Sequence, residues 1–291
     1  MTKNITKHSA QSIMMAFGAV IIWGSLVVLN MKLIHVPAMM VGGISLTFAG
    51  IISCFNLKTW NLPWRTLLVG VSGVFSYNLL YYLAFRYAPA VEANLLNYLW
   101  PLLIVVMTPL FIKEMKLSLN HIIGALLGFI GAALIVTGGH LNIEIKSLSG
   151  YLIAIGAAFC WAIYSLKIKK LPPFPSEAVS VFCFISGILM LVIYFTSIGN
   201  ISEITRLTIT DWTLLLILGI VTNGISYILW NKAMKLGDPR VIGSIAYLTP
   251  LLSTFALAIF FGKQITLVSG IAMIMIITGA IVGSLQKTYK D

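Results

Sequence analysis

Two prolines with similar surroundings mark the places where this chain's side chains could do chemistry. The run Asn97-Tyr98-Leu99-Trp100-Pro101, and Ser244 and Tyr247 ahead of Pro250, set amide, hydroxyl and indole groups just before a proline inside an apolar stretch. Proline within a helix removes one backbone N–H and leaves the carbonyl four residues earlier without its usual partner. Pro101 thus frees the carbonyl of Asn97, and Pro250 that of Ala246. In an apolar medium such carbonyls are tolerated only beside other protein groups or a water-lined cavity.

Other residues of the same kind accompany these breaks. Tyr77 and Tyr81 are four residues apart, hence on one face of a helix, with Asn78 beside them. Trp23 and Trp161 lie well inside their own apolar stretches, whereas Trp60, Trp64, Tyr151 and Trp212 fall near predicted ends, where interfacial belts account for them. The candidate binding residues are therefore Trp23, Tyr77, Asn78, Tyr81, Asn97, Tyr98, Trp100, Trp161 and Ser244, with Pro101 and Pro250 as helix breaks. Together they could stack an aromatic ring and offer neutral hydrogen bonds. No His/Asp/Ser set, HExxH or phosphate loop appears, so no catalytic residue is expected. Cys54, Cys160 and Cys183 sit in apolar windows without metal-like spacing, so neither a metal nor a cofactor is expected.

The elements that must position these residues follow from composition. Of 291 residues, 59% are apolar and 9% charged, with a mean hydropathy of +0.99, far from soluble usage. At about 20 residues per span, apolar windows starting near Ile13, Met39, Leu67, Ala93, Ile122, Tyr151, Ala178, Leu214, Val241 and Thr266 predict ten transmembrane helices. The remaining residues leave no room for a soluble domain or an ATP motor. The first window is read as a span, because Trp23, Asn30 and Lys32 stand where a cleaved leader would carry small residues.

The net charge of +11 has no basic run longer than Lys169-Lys170, so no nucleic-acid partner is expected. Sorting the 19 basic residues into alternate connections tests the span count. One side takes fourteen, from Lys3 and Lys7 through Lys167, Lys169 and Lys170 to Lys287 and Lys290; the other takes five, Lys32, Arg86, Lys146, Arg206 and Lys263. Both termini are therefore predicted to be cytoplasmic.

The chain also resembles itself. An offset of 149 lays Tyr98-Leu99-Trp100-Pro101-Leu102-Leu103 on Tyr247-Leu248-Thr249-Pro250-Leu251-Leu252 and pairs Tyr81 with Trp230; near 138, Trp23 meets Trp161. The reading is a first five-helix repeat over 1–138, an external connection over 139–149 and a second repeat over 150–291. Five is odd, so the halves enter the bilayer from opposite sides. Such inverted repeats can exchange packings, which turns an outward-open cavity into an inward-open one. Gly124-x-x-x-Gly128 and Gly279-x-x-x-Gly283 permit close helix approach, within the chain or in a dimer. All eight acidic residues fall at predicted ends or in loops, so no midplane carboxylate is available for a proton relay.

Trp23-Gly24 in helix 1, Pro101 in helix 4, Glu114 just after it and the glycine-rich helix 5 resemble the drug/metabolite transporter superfamily of EamA type. The pentapeptide from Asn97 to Pro101 resembles the signature of the bacterial aromatic amino-acid exporters of the YddG type within it. The resemblance implies an all-α polytopic protein of the bacterial inner membrane, with ten transmembrane helices as two inverted five-helix repeats. It also implies a central cavity lined by helices that include 1, 3, 4, 6, 8 and 9. The expected activity is export of aromatic and neutral amino acids by alternating access; a multidrug or other small-metabolite carrier is the alternative. The expected partners are a neutral small-molecule substrate and the lipid bilayer, with the protein a monomer or weak homodimer. Gly262-Lys263-Gln264 departs from the superfamily, which commonly has an acidic residue there as the counterpart of Glu114.

Overall fold

The computed structural model describes the backbone of residues 2–141, 144–262 and 264–285, and side chains from residue 10 onward. Lys263, Lys287 and Lys290 of the charge count therefore lie outside the described residues, as do the side chains of Lys3 and Lys7.

Among the described residues the chain is helical, without a strand, and crosses ten times. The helices are α1 (Thr2–Lys32), α2 (Ala38–Cys54), α3 (Trp64–Tyr87), α4 (Ala90–Phe111), α5 (Leu119–Thr137), α6 (Leu148–Ile168), α7 (Val179–Ser197), α8 (Ile209–Leu236), α9 (Pro239–Phe261) and α10 (Leu267–Ser284). Nine are long and apolar enough to span a bilayer, and α2 is a shorter apolar helix. Local chemistry sets several starts. Ser118 and His121 form a reciprocal cap on α5, Thr208 and Asp211 form one on α8, and Asp238 caps α9 with Pro239 in its first turn. Large apolar side chains such as Met14, Ile259 and Ile274 point outward, where lipid replaces water as their solvent.

Packing follows the repeat. α5 lies along α10 and α2 along α7, which pairs helices in corresponding positions of the two halves. The α3–α6 contact has its mate in α1–α8, and α4–α6 has its mate in α1–α9. The glycine spacings are used inside the chain. A Cβ on Gly124 would lie 2.5 Å from the Gly283 nitrogen, and one on Gly279 would lie 2.6 Å from the Gly124 carbonyl oxygen, so α5 and α10 meet backbone to backbone.

Candidate functional site

α4 and α9 are each broken, and they cross at the breaks. α4 stops at Asn97, passes through Tyr98 (φ −63°, ψ 2°) and restarts at Leu99. α9 stops at Ala246, passes through Tyr247 (φ −66°, ψ −11°) and restarts at Leu248. Each proline thereby falls in the first turn of a new half-helix, where a missing N–H costs nothing. Gly243 permits the crossing: a Cβ there would stand 3.1 Å from the Pro101 carbonyl oxygen.

Beside the crossing lies a cavity of about 750 Å³, within the range of small-molecule sites. Its floor is formed by the indoles of Trp23, Trp100 and Trp161, backed by the fully buried Trp230. Trp23 meets Trp100 at 6.0 Å and 86° between ring planes, Trp161 at 6.1 Å and 71°, and Trp230 at 5.3 Å. The two edge-to-face pairs, with Trp100 and Trp161, contribute about 0.5–1.5 kcal/mol each beyond burial. Tyr77 carries the aromatic surface up one wall, 4.8 Å from Trp161 and stacked on Tyr81 at 5.8 Å and 17°. The polar groups are neutral: Tyr81 donates its hydroxyl hydrogen to Asn94 Oδ1 at 3.3 Å, and Asn223 Nδ2 donates to Ser45 Oγ at 2.9 Å. Among the described residues no charged side chain lines the cavity.

Eight of the expected binding residues, Trp23, Tyr77, Asn78, Tyr81, Asn97, Tyr98, Trp100 and Trp161, line this one space, together with Pro250. Asn78 is buried, with Nδ2 donating to the Val74 carbonyl at 2.8 Å. Ser244 does not line it. Its hydroxyl donates to the Arg240 carbonyl at 3.0 Å and packs on Gly283 of α10. It precedes the break in α9, and the residues of that helix that line the cavity, Thr249, Pro250, Ser253, Thr254 and Leu257, follow it. Pro101 is buried at the crossing and likewise lies off the cavity surface.

Sequence reasoning missed Asn94, Thr222, Asn223, Tyr227 and Thr249, all of which line the cavity. The 149-residue offset carried a signal for two of them, since it places Thr249 on Trp100 and Tyr227 on Asn78. Thr222 and Asn223 had none. They lie on a π-helical segment of α8, Leu218–Ile225, whose wider turn changes which side chains face inward.

Among the described residues, the cavity lining reaches one end of the bundle. Its mouth is edged by Met31 at the end of α1, Val91 at the start of α4 and Val136 at the end of α5. The opposite end is sealed by polar contacts between loops. Lys169 Nζ donates to the carbonyls of Met234 at 3.3 Å, Lys235 at 3.1 Å and Gly237 at 2.6 Å. Burial pushes this ammonium below the usual lysine range, and the nearby Asp238 charge opposes the shift. Lys232 pairs with Glu177 at 2.6 Å. Arg240 Nε donates to Asp238 at 2.9 Å, and its guanidinium also donates to the Lys116 carbonyl.

Comparisons agree with this architecture. The EamA-like transporter family matches residues 10–137 and 148–285. The aromatic amino acid exporter YddG of Ancylobacter novellus is 28% identical over 281 residues, 94% of this chain and 96% of that one. The biotin transporter of Salmonella typhimurium is 26% identical over 193 residues, 65% of this chain and 61% of that one. A solved crystal structure superposes with a TM-score of 0.90 at 27% identity, covering 98% of this chain and 99% of the other. With a bundle of apolar spans, a neutral cavity at the crossing of its two broken helices and a family match in each half, the chain belongs to the EamA-like transporter family and is a multi-pass transporter of the bacterial inner membrane, not an enzyme.

Proposed function

We propose that this transporter exports aromatic and other neutral amino acids by alternating access between its two five-helix repeats. The observation that carries the reading is the cavity itself: an indole and phenol floor, a neutral polar wall, one open mouth and one sealed end. An aromatic side chain fits the floor, and the wall offers dipoles in place of a counter-charge. By the basic-residue count the mouth faces outward and the Lys169 seal faces the cytoplasm. With no charged group on the cavity lining among the described residues, transport runs without a midplane carboxylate relay. Because the glycine faces of α5 and α10 are consumed within the chain, we read the working unit as a monomer.

Purified protein in liposomes preloaded with labelled phenylalanine, with and without a pH gradient, tests this. Release that needs the protein, is indifferent to the gradient and fails in Trp100→Ala supports the reading. No release above empty liposomes from folded protein overturns it in favour of another small-metabolite cargo. The similarity to a biotin transporter keeps that second reading open.

A further inference from the structure

Two asparagine side chains reach the cavity half-exposed: Asn94 from the first half of α4 and Asn223 from the π segment of α8. A side-chain amide has one end that only donates and one that only accepts, so its protein neighbours decide which end is left for a ligand. Ser45 on α2 donates its single hydroxyl proton to the Gly42 carbonyl at 3.1 Å. It can then only accept from Asn223, which must turn its NH2 group toward Ser45, as the 2.9 Å contact has it. The carbonyl end, Oδ1, with both of its lone pairs, is the end of Asn223 turned away from Ser45. The thiol of Cys183 on α7 also holds the residue, donating to its backbone carbonyl at 3.7 Å. Asn94 is arranged in the opposite sense. Its Oδ1 accepts from the Tyr81 hydroxyl at 3.3 Å, which leaves Nδ2 as a donor.

We propose that Asn223 and Asn94 are specificity-determining residues that make this cavity select a zwitterion, Asn223 Oδ1 accepting from the substrate's ammonium and Asn94 Nδ2 donating to its carboxylate. The inference rests on the amino-acid reading above and adds which groups read each end of the molecule. Hydrogen bonds to an ionised partner are roughly twice as strong as neutral ones. A ligand lacking one ionic group leaves the matching amide end desolvated and unpaired, which is the stronger basis for rejection.

The test uses the full chain purified in detergent, with quenching of tryptophan fluorescence as the binding readout, since Trp23, Trp100 and Trp161 line the cavity. The ligands are phenylalanine, 3-phenylpropionate, which lacks the ammonium, and phenethylamine, which lacks the carboxylate. Wild type is expected to bind phenylalanine about tenfold or more tightly than either analogue. Asn223→Leu should erase the preference over 3-phenylpropionate and keep the preference over phenethylamine; Asn94→Leu should do the reverse. Asn223→Asp keeps the side-chain shape while adding negative charge, and should move the preference toward phenethylamine even if the leucine variant does not fold. Variants that weaken all three ligands in parallel, or leave both preferences intact, overturn the assignment while the amino-acid reading stands. Wild type that binds no phenylalanine overturns that reading, and this inference with it.

Discussion

Lys169 Nζ lies 2.6 Å from the carbonyl oxygen of Gly237, tying the end of α6 to the turn between α8 and α9. The 138-residue offset that lays Trp23 on Trp161 lays Met31 on Lys169, and the 149-residue offset lays Ala88 on Gly237. Both ends of the cavity thus have a hairpin with carbonyls to offer, but the position that carries the capping ammonium at one end is a methionine at the other. Met31 cannot donate, and it edges the open mouth. The two repeats therefore differ in how firmly each end is held shut.

Lys169→Met, which gives the sealed end the residue of the open one, should shift the protein toward opening on the cytoplasmic side. Charge-assisted contacts to several carbonyls make a change of about tenfold in that equilibrium reasonable. Ala233 is fully buried on the inner half of α8, so Ala233→Cys in a chain with Cys54, Cys160 and Cys183 replaced by alanine serves as the reporter. An impermeant thiol reagent should label it about tenfold faster in Lys169→Met than in the parent. Equal rates would show that Lys169 does not hold the inner end.

Trp100 and Trp212 separate the cavity from the membrane belt. Trp100 is 5% exposed, on the cavity floor against Trp23 and Trp230, whereas Trp212 is 36% exposed at the start of α8 and touches Phe48. Trp100→Ala should cut phenylalanine release from liposomes by about tenfold or more, and Trp212→Ala by less than about twofold. Similar losses in both would remove the floor from the substrate's path.

The sealed end has an acid limit. Burial alone would raise the Asp238 carboxyl, but hydrogen bonds and charge from Arg240 outweigh it and hold the group below its usual range. A carboxylate depressed by folding contributes stability above its unfolded value of about 4, and that contribution is lost as pH falls through the folded value. Arg240→Gln should therefore lower the melting temperature by roughly 3 °C near neutrality. The gap between wild type and variant should close as pH drops below about 4. A gap that stays constant with pH would place Arg240's contribution in its bond to the Lys116 carbonyl instead.

The backbone contact between α5 and α10 makes a steric prediction. Gly279→Val forces a side chain into the Gly124 carbonyl, 2.6 Å from where its Cβ must sit, and should cost about 1–3 kcal/mol. Gly270→Ala, nine residues earlier on the same helix in open space, should change the melting temperature little. Equal effects would mean that α5 and α10 are not in close contact.

The primary structure was enough for the ten spans, their alternation of basic charge, the pairing of the halves and the positions of both helix breaks. Each of these depends on composition or on a proline's missing N–H, and neither needs a partner helix to be known. It also singled out most of the floor, because Trp23, Tyr77, Trp100 and Trp161 are costly to bury in lipid without partners and so stand out among Leu, Ile and Val.

Tertiary structure alone decided which face of each helix looks into the cavity. A soluble helix announces its inner face by alternating apolar with polar residues, but a membrane helix is apolar on every side, and that signal vanishes. Ser244 looked equivalent to its neighbours for this reason, yet it packs on α10, while Thr249, two residues beyond the break, turns inward. The π turn that presents Thr222 and Asn223 has no mark in the sequence either; its Gly219 and Gly224 pack closely on α2. Nor does the chain state that Asn223 shows its carbonyl end and Asn94 its amide end. That depends on where the single protons of Ser45 and Tyr81 go, and Ser45 lies 178 residues from Asn223 in the chain.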